Sequence, residues 1–353
     1  MRLTRLLSQF VVLSLLSLGI AIGVPRGSVP PGAAPYPVAP RDTFVNLVAP
    51  SQVPGARTLA AADRSGAASR AGSMAKSSAR SSAPLTAPDM AVTGASEATA
   101  VSAPVAVVGV TWQQGTGQGV SVQYRSQQKG RWSAWSFVEA DPEHGPDPAS
   151  AEAKNARAGS DPLVVTNVTA VQVRTLGDGT HAPAQPKLMV VDPGASAASR
   201  PSAAEPSVGP QMTMSLTSTA LAGSTTSLAG LAYASRPVIY TRAQWGANER
   251  LRRAAPQYGA VKGAFVHHTV NANSYSSSQV PAIIRAIYAY HVNGRGWDDI
   301  GYNFLIDRFG RTWEGRYGGI YRAVIGAHTL DHNAYSFGAA AIGNFDVAAV
   351  PRP

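Results

Sequence analysis

Phe265-Val266-His267-His268-Thr269 is an apolar run that ends in two histidines, and it opens the stretch that decides the fold, Phe265 to Phe345. The stretch continues through Tyr290-His291, Arg295-Gly296-Trp297-Asp298-Asp299-Ile300-Gly301-Tyr302-Asn303-Phe304 and Trp313-Glu314-Gly315-Arg316. It closes with Ile325-Gly326-Ala327-His328 and Gly343-Asn344-Phe345. Five of the seven histidines of the chain lie inside it, and neutral imidazole serves both as metal ligand and as proton carrier near pH 7. Val261 to Thr269 reads as a buried strand whose end delivers His267 and His268. Ser276-Ser277-Ser278-Gln279 signals a helix start with Pro281 in its first turn. Ile283, Ile284, Ile287, Tyr288 and His291 then recur at helical spacing, which puts His291 on or near the buried face until Gly294 and Gly296 end the helix. Tyr302–Asp307 and Thr312–Gly315 read as a strand pair around Arg308-Phe309-Gly310, and Ala339–Asn344 as a further strand. Strand, helix, strand, strand in that order defines an α/β domain with a mixed central sheet and flanking helices over residues 236–353.

Working outward, a second stretch able to bury a core is 104–193. Val105 to Trp112 is a β-branched run, and Val120-Ser121-Val122-Gln123-Tyr124-Arg125 alternates apolar and polar residues. Trp132-Ser133-Ala134-Trp135-Ser136-Phe137 repeats the alternation with aromatics, and Leu163–Val165, Val168–Val173 and Leu188–Val191 add short strands between turns. The result is an all-β accessory module, in which Trp132 and Trp135 are either core or a sugar-stacking platform. Residues 25–103 and 194–235 are Ala/Ser/Pro/Gly-rich and are expected as disordered linkers. At the N-terminus, Arg2 and Arg5 precede an apolar run from Leu6 to Val24. Residues 1–24 are therefore a signal peptide or an uncleaved anchor. The absence of cysteine excludes disulfides, thiolate ligands and a lipoprotein anchor. The net charge of +10, spread without dense Lys/Arg blocks, argues against nucleic acid and allows contact with anionic cell-wall polymers.

From residue chemistry alone, His267, His328 and His332 could hold a zinc ion with an open water position, with Glu314 or Asp331 as base. The motifs Pro237-x-Ile239-x-x-Arg242-x-x-Trp245-Gly246-Ala247, Val266-His267-His268-Thr269 and Gly296-Trp297-x-Asp299-Ile300-Gly301-Tyr302-Asn303-Phe304 point elsewhere. With Glu314-Gly315-Arg316, Gly326-Ala327-His328 and Gly343-Asn344-Phe345 following in order, residues 236–345 resemble the peptidoglycan recognition protein family. That family is similar to the type-2 N-acetylmuramoyl-L-alanine amidases. The Trp-bearing β module also resembles a segment found upstream of secreted bacterial members.

The resemblance implies a zinc hydrolase that cuts the amide between N-acetylmuramic acid and L-alanine. On that basis His267 is a metal ligand, and Tyr302 lies beside the metal and positions water or stabilises the oxyanion. His291, Arg295, His328 and Asn333 line the muropeptide groove, which displaces the three-histidine alternative. The family's second and third zinc ligands would lie beyond Gly343-Asn344-Phe345, so the domain is expected to be C-terminally incomplete. The functional expectation is a secreted or cell-wall-associated, monomeric zinc amidase of cell-wall turnover. Its alternatives are a non-catalytic peptidoglycan-recognition module and an envelope-tethered scaffold. Trp245, Trp297 and Trp313 are expected in the core.

Overall fold

In β4 (Val105–Trp112) all eight residues are buried, and the alternation of its side chains explains why. Ala106, Val108, Val110 and Trp112 enter one hydrophobic core, while Val105 and Val107 enter another. A strand covered on both faces reads as a continuous apolar run, and β4 is the wall between the two halves of the molecule. The computed structural model describes residues 39–53, 90–138, 140, 142–178, 180–194, 237–269, 273–346, 348 and 349.

The N-terminal half is a two-sheet sandwich. In the first sheet β1 (Arg41–Asn46), β11 (Lys187–Asp192) and β4 run antiparallel, and β4 also pairs β8 (Ala158–Gly159) and β9 (Leu163–Thr166). The second sheet joins β2 (Ala91–Ala95), β10 (Ala170–Gly177), β5 (Ser121–Gln128) and β6 (Arg131–Trp132). In it β3 (Thr99–Ala100) pairs β10, and β7 (Ser136–Val138) pairs β5. Val122, Val171 and Val173 of the second sheet close on Leu163, Val165, Leu188 and Val190 of the first.

Residues 25–103 are thus not linker throughout: β1, β2 and β3 fall inside them and pair with strands of the module. The stretch Arg41-Asp42-Thr43-Phe44-Val45-Asn46 has β-favouring residues, and its backbone groups are satisfied by β11 at the sheet's edge rather than by burial of its side chains. Residues 1–24 and all but the first of 194–235 lie outside the described residues. Among the described residues no helix is long and apolar enough to cross a membrane.

The C-terminal half is built on a mixed five-stranded sheet of order β12-β15-β14-β16-β13. These are β12 (Ile239–Tyr240), β13 (Gly263–His268), β14 (Phe304–Ile306), β15 (Thr312–Glu314) and β16 (Ser336–Ala341). β14 and β15 are the expected antiparallel pair; β12–β15, β14–β16 and β13–β16 are parallel. β13 is an edge strand and not the buried strand expected for Val261–Thr269: Val266 is 82% and Phe265 37% exposed. Its side chains point to the two faces of the sheet, where a hydrogen-bonded neighbour in the sheet plane does not cover them.

Two helices complete this half. α1 (Arg242–Trp245) starts in a capping box between Thr241 and Gln244 and stops at Gly246, in the left-handed conformation. Ser276 and Gln279 form the capping box ahead of α2 (Val280–Ala289), as the sequence predicts. All ten residues of α2 are buried, because each of its faces has a partner. Trp245, Leu305, Trp313, Ala340 and Ile342 belong to the same core as the helix, and so do Val105, Val107, Val164, Met189 and Val191 of the sandwich. A helix covered all round is a central element, so the two halves share one core.

The two halves come close at Gly109 of β4. A Cβ there would meet the ring of Tyr290, whose hydroxyl donates to the Ser160 carbonyl at 2.8 Å. Arg242 ties α1 to the sheet through Glu249 (2.8 Å), Asp299 (3.2 Å) and the Gly315 carbonyl, with only Glu249 substantially exposed.

Candidate functional site

The site begins where the sequence places it, at the end of β13. His267 pairs in register with Ala340 of β16 and is flanked by two further imidazoles. His328 Nδ1 lies 3.1 Å from His267 Nε2, and His144 Nε2 lies 3.0 Å from His267 Nδ1. His144 comes from the loop after β7, and its own Nδ1 lies 3.1 Å from Asp161 Oδ1. A carboxylate only accepts, so the order of protons along the row is fixed for neutral rings. His144 donates from Nδ1 to Asp161, His267 donates from Nδ1 to His144, and His328 donates from Nδ1 to His267. His328 Nε2 ends the row, buried and without a hydrogen-bond partner. Burial, then the neighbouring His267 and His144, push the His328 pKa down to about 3 and hold it neutral. Its ring sits in a slot between Gly326 and Gly338, where a Cβ on either residue would collide with it.

The helix end supplies the next side. After α2 the chain widens into a π-turn, Tyr290–Gly294, a feature that re-aims side chains at the end of a helix. His291 is fully buried there; its Nδ1 accepts from the Gly301 N–H at 3.1 Å, and its ring lies 4.4 Å from Trp297. Burial, followed by the Arg295 charge, holds its pKa well below the usual histidine value. Tyr302 stands between these groups, buried, with ring centroids 5.7 Å from His267 and 5.6 Å from His291.

Arg295 and Asn333 complete the set, and their partners were not foreseen. Arg295 donates to the carbonyls of Arg157 (2.9 Å), His144 (3.1 Å) and Ser160 (3.5 Å). Asn333 accepts the N–H groups of His328 (2.8 Å) and Thr329 (3.2 Å) through Oδ1. Its amide nitrogen donates to the Gly145 carbonyl (2.9 Å) and to Asp147 Oδ1 (2.7 Å). Arg316 Nη2 holds both oxygens of Glu152, at 2.6 and 2.7 Å.

The structure therefore brings His267, His291, Arg295, Tyr302, His328 and Asn333 together. It also adds His144, Asp147, Glu152 and Asp161 from the sandwich. Sequence reasoning missed these four because their partners are remote in the chain, as His144 is from His267, and no periodicity links such positions. The one visible signal was a histidine in a Gly/Pro turn, Glu143-His144-Gly145-Pro146. His332 stays out of the site: it is exposed and paired with the Tyr335 hydroxyl at 2.6 Å. Glu314 also points elsewhere, accepting from the Arg242 backbone N–H. The three-histidine alternative with Glu314 as base is thereby excluded as arranged.

Zinc takes a lone pair from each ligand, and the one lone pair of His267 is aimed at His328 Nδ1–H. Among the described residues no group of three His, Cys, Asp or Glu side chains could hold a metal ion. The residues as arranged do not fit zinc. Trp245, Trp297 and Trp313 are all core residues. Trp132 and Trp135 carry guanidinium groups over their rings: Arg125 at 4.8 Å from each, and Arg174 at 4.4 Å from Trp135. They form a cation–π stack in place of an open sugar platform.

The C-terminal third of the chain is similar to peptidoglycan-recognition proteins and N-acetylmuramoyl-L-alanine amidases. It is 35% identical over 109 residues to peptidoglycan-recognition protein SC1a/b of Drosophila simulans, covering 31% of this chain and 56% of that protein. It is 37% identical over 114 residues to the human N-acetylmuramoyl-L-alanine amidase, covering 32% of this chain and 19% of the amidase. A solved structure of a Drosophila peptidoglycan-recognition protein LB mutant in complex with tracheal cytotoxin matches at 29% identity and a TM-score of 0.29. That match covers 32% of this chain and 65% of the other. The chain thus spans about half the length of the recognition protein and under a fifth of the amidase. Residues 67–207 match the family described as Rv3811 N-terminal galactose-binding domain-like.

Proposed function

We propose that the C-terminal half is a muropeptide-binding domain of an exported cell-wall protein. Arg295, Asn333, His291 and His328 serve as ligand contacts around Tyr302. The observation that carries this is the convergence of these buried residues on the half-buried His267, in a stretch similar to recognition proteins and amidases. Guanidinium and amide donors in a shielded site suit the carbonyls and carboxylates of a peptide. The crystallised relative holds tracheal cytotoxin, which makes a soluble muropeptide the first ligand to test. Titration of the whole chain with a purified disaccharide-tetrapeptide should give saturable heat. Tyr302→Phe should keep the binding, since it removes a hydroxyl and little volume. Absence of binding at millimolar ligand would overturn the proposal.

A second reading, zinc-dependent hydrolysis of the muramoyl–alanine amide, is favoured by the likeness to amidases and by Tyr302 lying beside His267. To ligate a metal, His267 would have to give up its bond to His328 or to His144, so no step is assigned to a metal here. Zinc content and amide cleavage, each measured with and without His267→Ala, decide it: loss of both together supports hydrolysis. For localisation, the Leu6–Val24 run supports export, and fractionation finding the whole chain, Met1 retained, only in the cytosol would sink that.

A further inference from the structure

We propose that the sandwich segment His144–Ser160 is a resident occupant of the groove, which must leave before a muropeptide can reach the contact residues. The inference rests on the function proposed above and adds its regulation.

Three observations carry it. The donors proposed for the ligand are already satisfied, and by this segment: Arg295 by the carbonyls of His144, Arg157 and Ser160, and Asn333 by Gly145 and Asp147. Next to them, Glu152 offers a carboxylate to Arg316 and accepts the Asp298 N–H at 2.8 Å. The segment therefore presents what an anionic peptide would present, backbone carbonyls and two carboxylates, to donors that would otherwise take them from a ligand. The second observation is burial. His291, His328 and Asn333 are each 1% exposed and Arg295 5%, so no ligand touches them while the segment is in place. The third is tightness: at Gly296, in the left-handed conformation, a Cβ would collide with the Asn155 carbonyl. At this point segment and groove are in van der Waals contact.

Yet the segment has little regular structure to hold it. Between β7 and β9 it contains one short 3₁₀ turn, Glu152–Asn155, and the two-residue β8. Its hold on the groove includes the polar contacts above, whose carbonyls and carboxylates an anionic peptide also offers. A ligand whose competent state is only a fraction of the population binds with an affinity reduced by that fraction. Weakening the cover therefore raises apparent affinity while leaving every contact residue in place.

The test uses the whole chain and a purified disaccharide-tetrapeptide. The double variant Asp147→Ala, Glu152→Ala removes both carboxylates of the segment and no contact residue. It should bind at least about tenfold more tightly than the parent. Hydrogen exchange should show the 144–160 amides protected in the parent and released when muropeptide binds. A second variant, Gly145→Cys with Leu330→Cys, exploits the absence of native cysteine. A Cβ at Gly145 falls 3.5 Å from Cδ2 of Leu330, so joining the two thiols with a short reducible crosslinker should lock the segment and abolish binding, with a reductant restoring it. If the double variant binds equally or more weakly, and the 144–160 amides stay protected in the complex, the segment is a wall of the site and the proposal falls. If no chain binds muropeptide but the double variant frees the 144–160 amides, the cover stands and the ligand class is wrong. If nothing binds and those amides stay protected, both fall.

Discussion

Gly109→Ala puts one methyl group where β4 meets the ring of Tyr290. Elsewhere in a strand this exchange favours folding by about 0.5–1 kcal/mol, because alanine loses less backbone entropy than glycine, and Gly109 needs no left-handed conformation. Here the new Cβ falls inside the Tyr290 ring. That ring is fully buried and anchored by its hydroxyl to Ser160, so it has no free space to turn into. Overpacking of this kind typically costs about 1–3 kcal/mol. The net expectation is a loss of about 1 kcal/mol, or roughly 2–4 °C in midpoint for a folded unit of this size. Thermal unfolding followed by circular dichroism measures it. Tyr290→Leu in the same chain should recover part of the loss, and a double-mutant cycle gives the coupling. If Gly109→Ala unfolds at or above the parent midpoint, the sandwich and α2 do not share a core, and the domains are independent after all.

Three further outcomes are expected. Arg242→Met should destabilise by about 3–5 kcal/mol in chemical denaturation, because it leaves Asp299 as an unpaired buried charge whose pKa burial already raises. Stability should fall between about pH 10 and 12, since burial pushes the Tyr290 pKa up to about 12 from 10. The folded state then holds a proton the unfolded chain has lost, so the contribution is whole below pH 10, declines above it, and Tyr290→Phe should flatten the alkaline slope. Asn333→Ala should cost about 2–4 kcal/mol and speed hydrogen exchange at the His328 and Thr329 amides, which lose their acceptor; unchanged exchange there would refute the assigned role.

Much of this was legible in the chain itself, and the exceptions have physical causes. The alternation in Val120–Arg125 and the spacing of Ile283, Ile284 and Ile287 read as strand and helix because each reports burial on at least one side. Arg41–Asn46 escaped notice because an edge strand is held by its backbone, and Phe44 is 49% exposed. Val261–Thr269 carried a strong strand pattern, yet nothing in it says whether a partner lies on both sides. The run Val105–Trp112 reads as a β-branched strand, but its meaning, alternate residues in two cores, requires knowing what α2 touches. At the site, residues close in sequence to His267 and Tyr302 were recognised through their motifs. His144, Asp147, Glu152 and Asp161 act through space from the other half of the molecule, where local pattern has no reach.

The complete burial of α2 also sets a timetable for synthesis. The face of β4, β9 and β11 that carries Val105, Val107, Val164, Met189 and Val191 is made before its cover exists. Roughly 100 further residues must be added before α2 is complete, an interval of roughly 5 to 20 s at ordinary elongation rates. During that time the nascent sandwich displays an apolar surface that only its own later product can close. Slow translation or a pause after Val191 lengthens the exposure, and holdase chaperones that mask such surfaces gain their largest effect in that window.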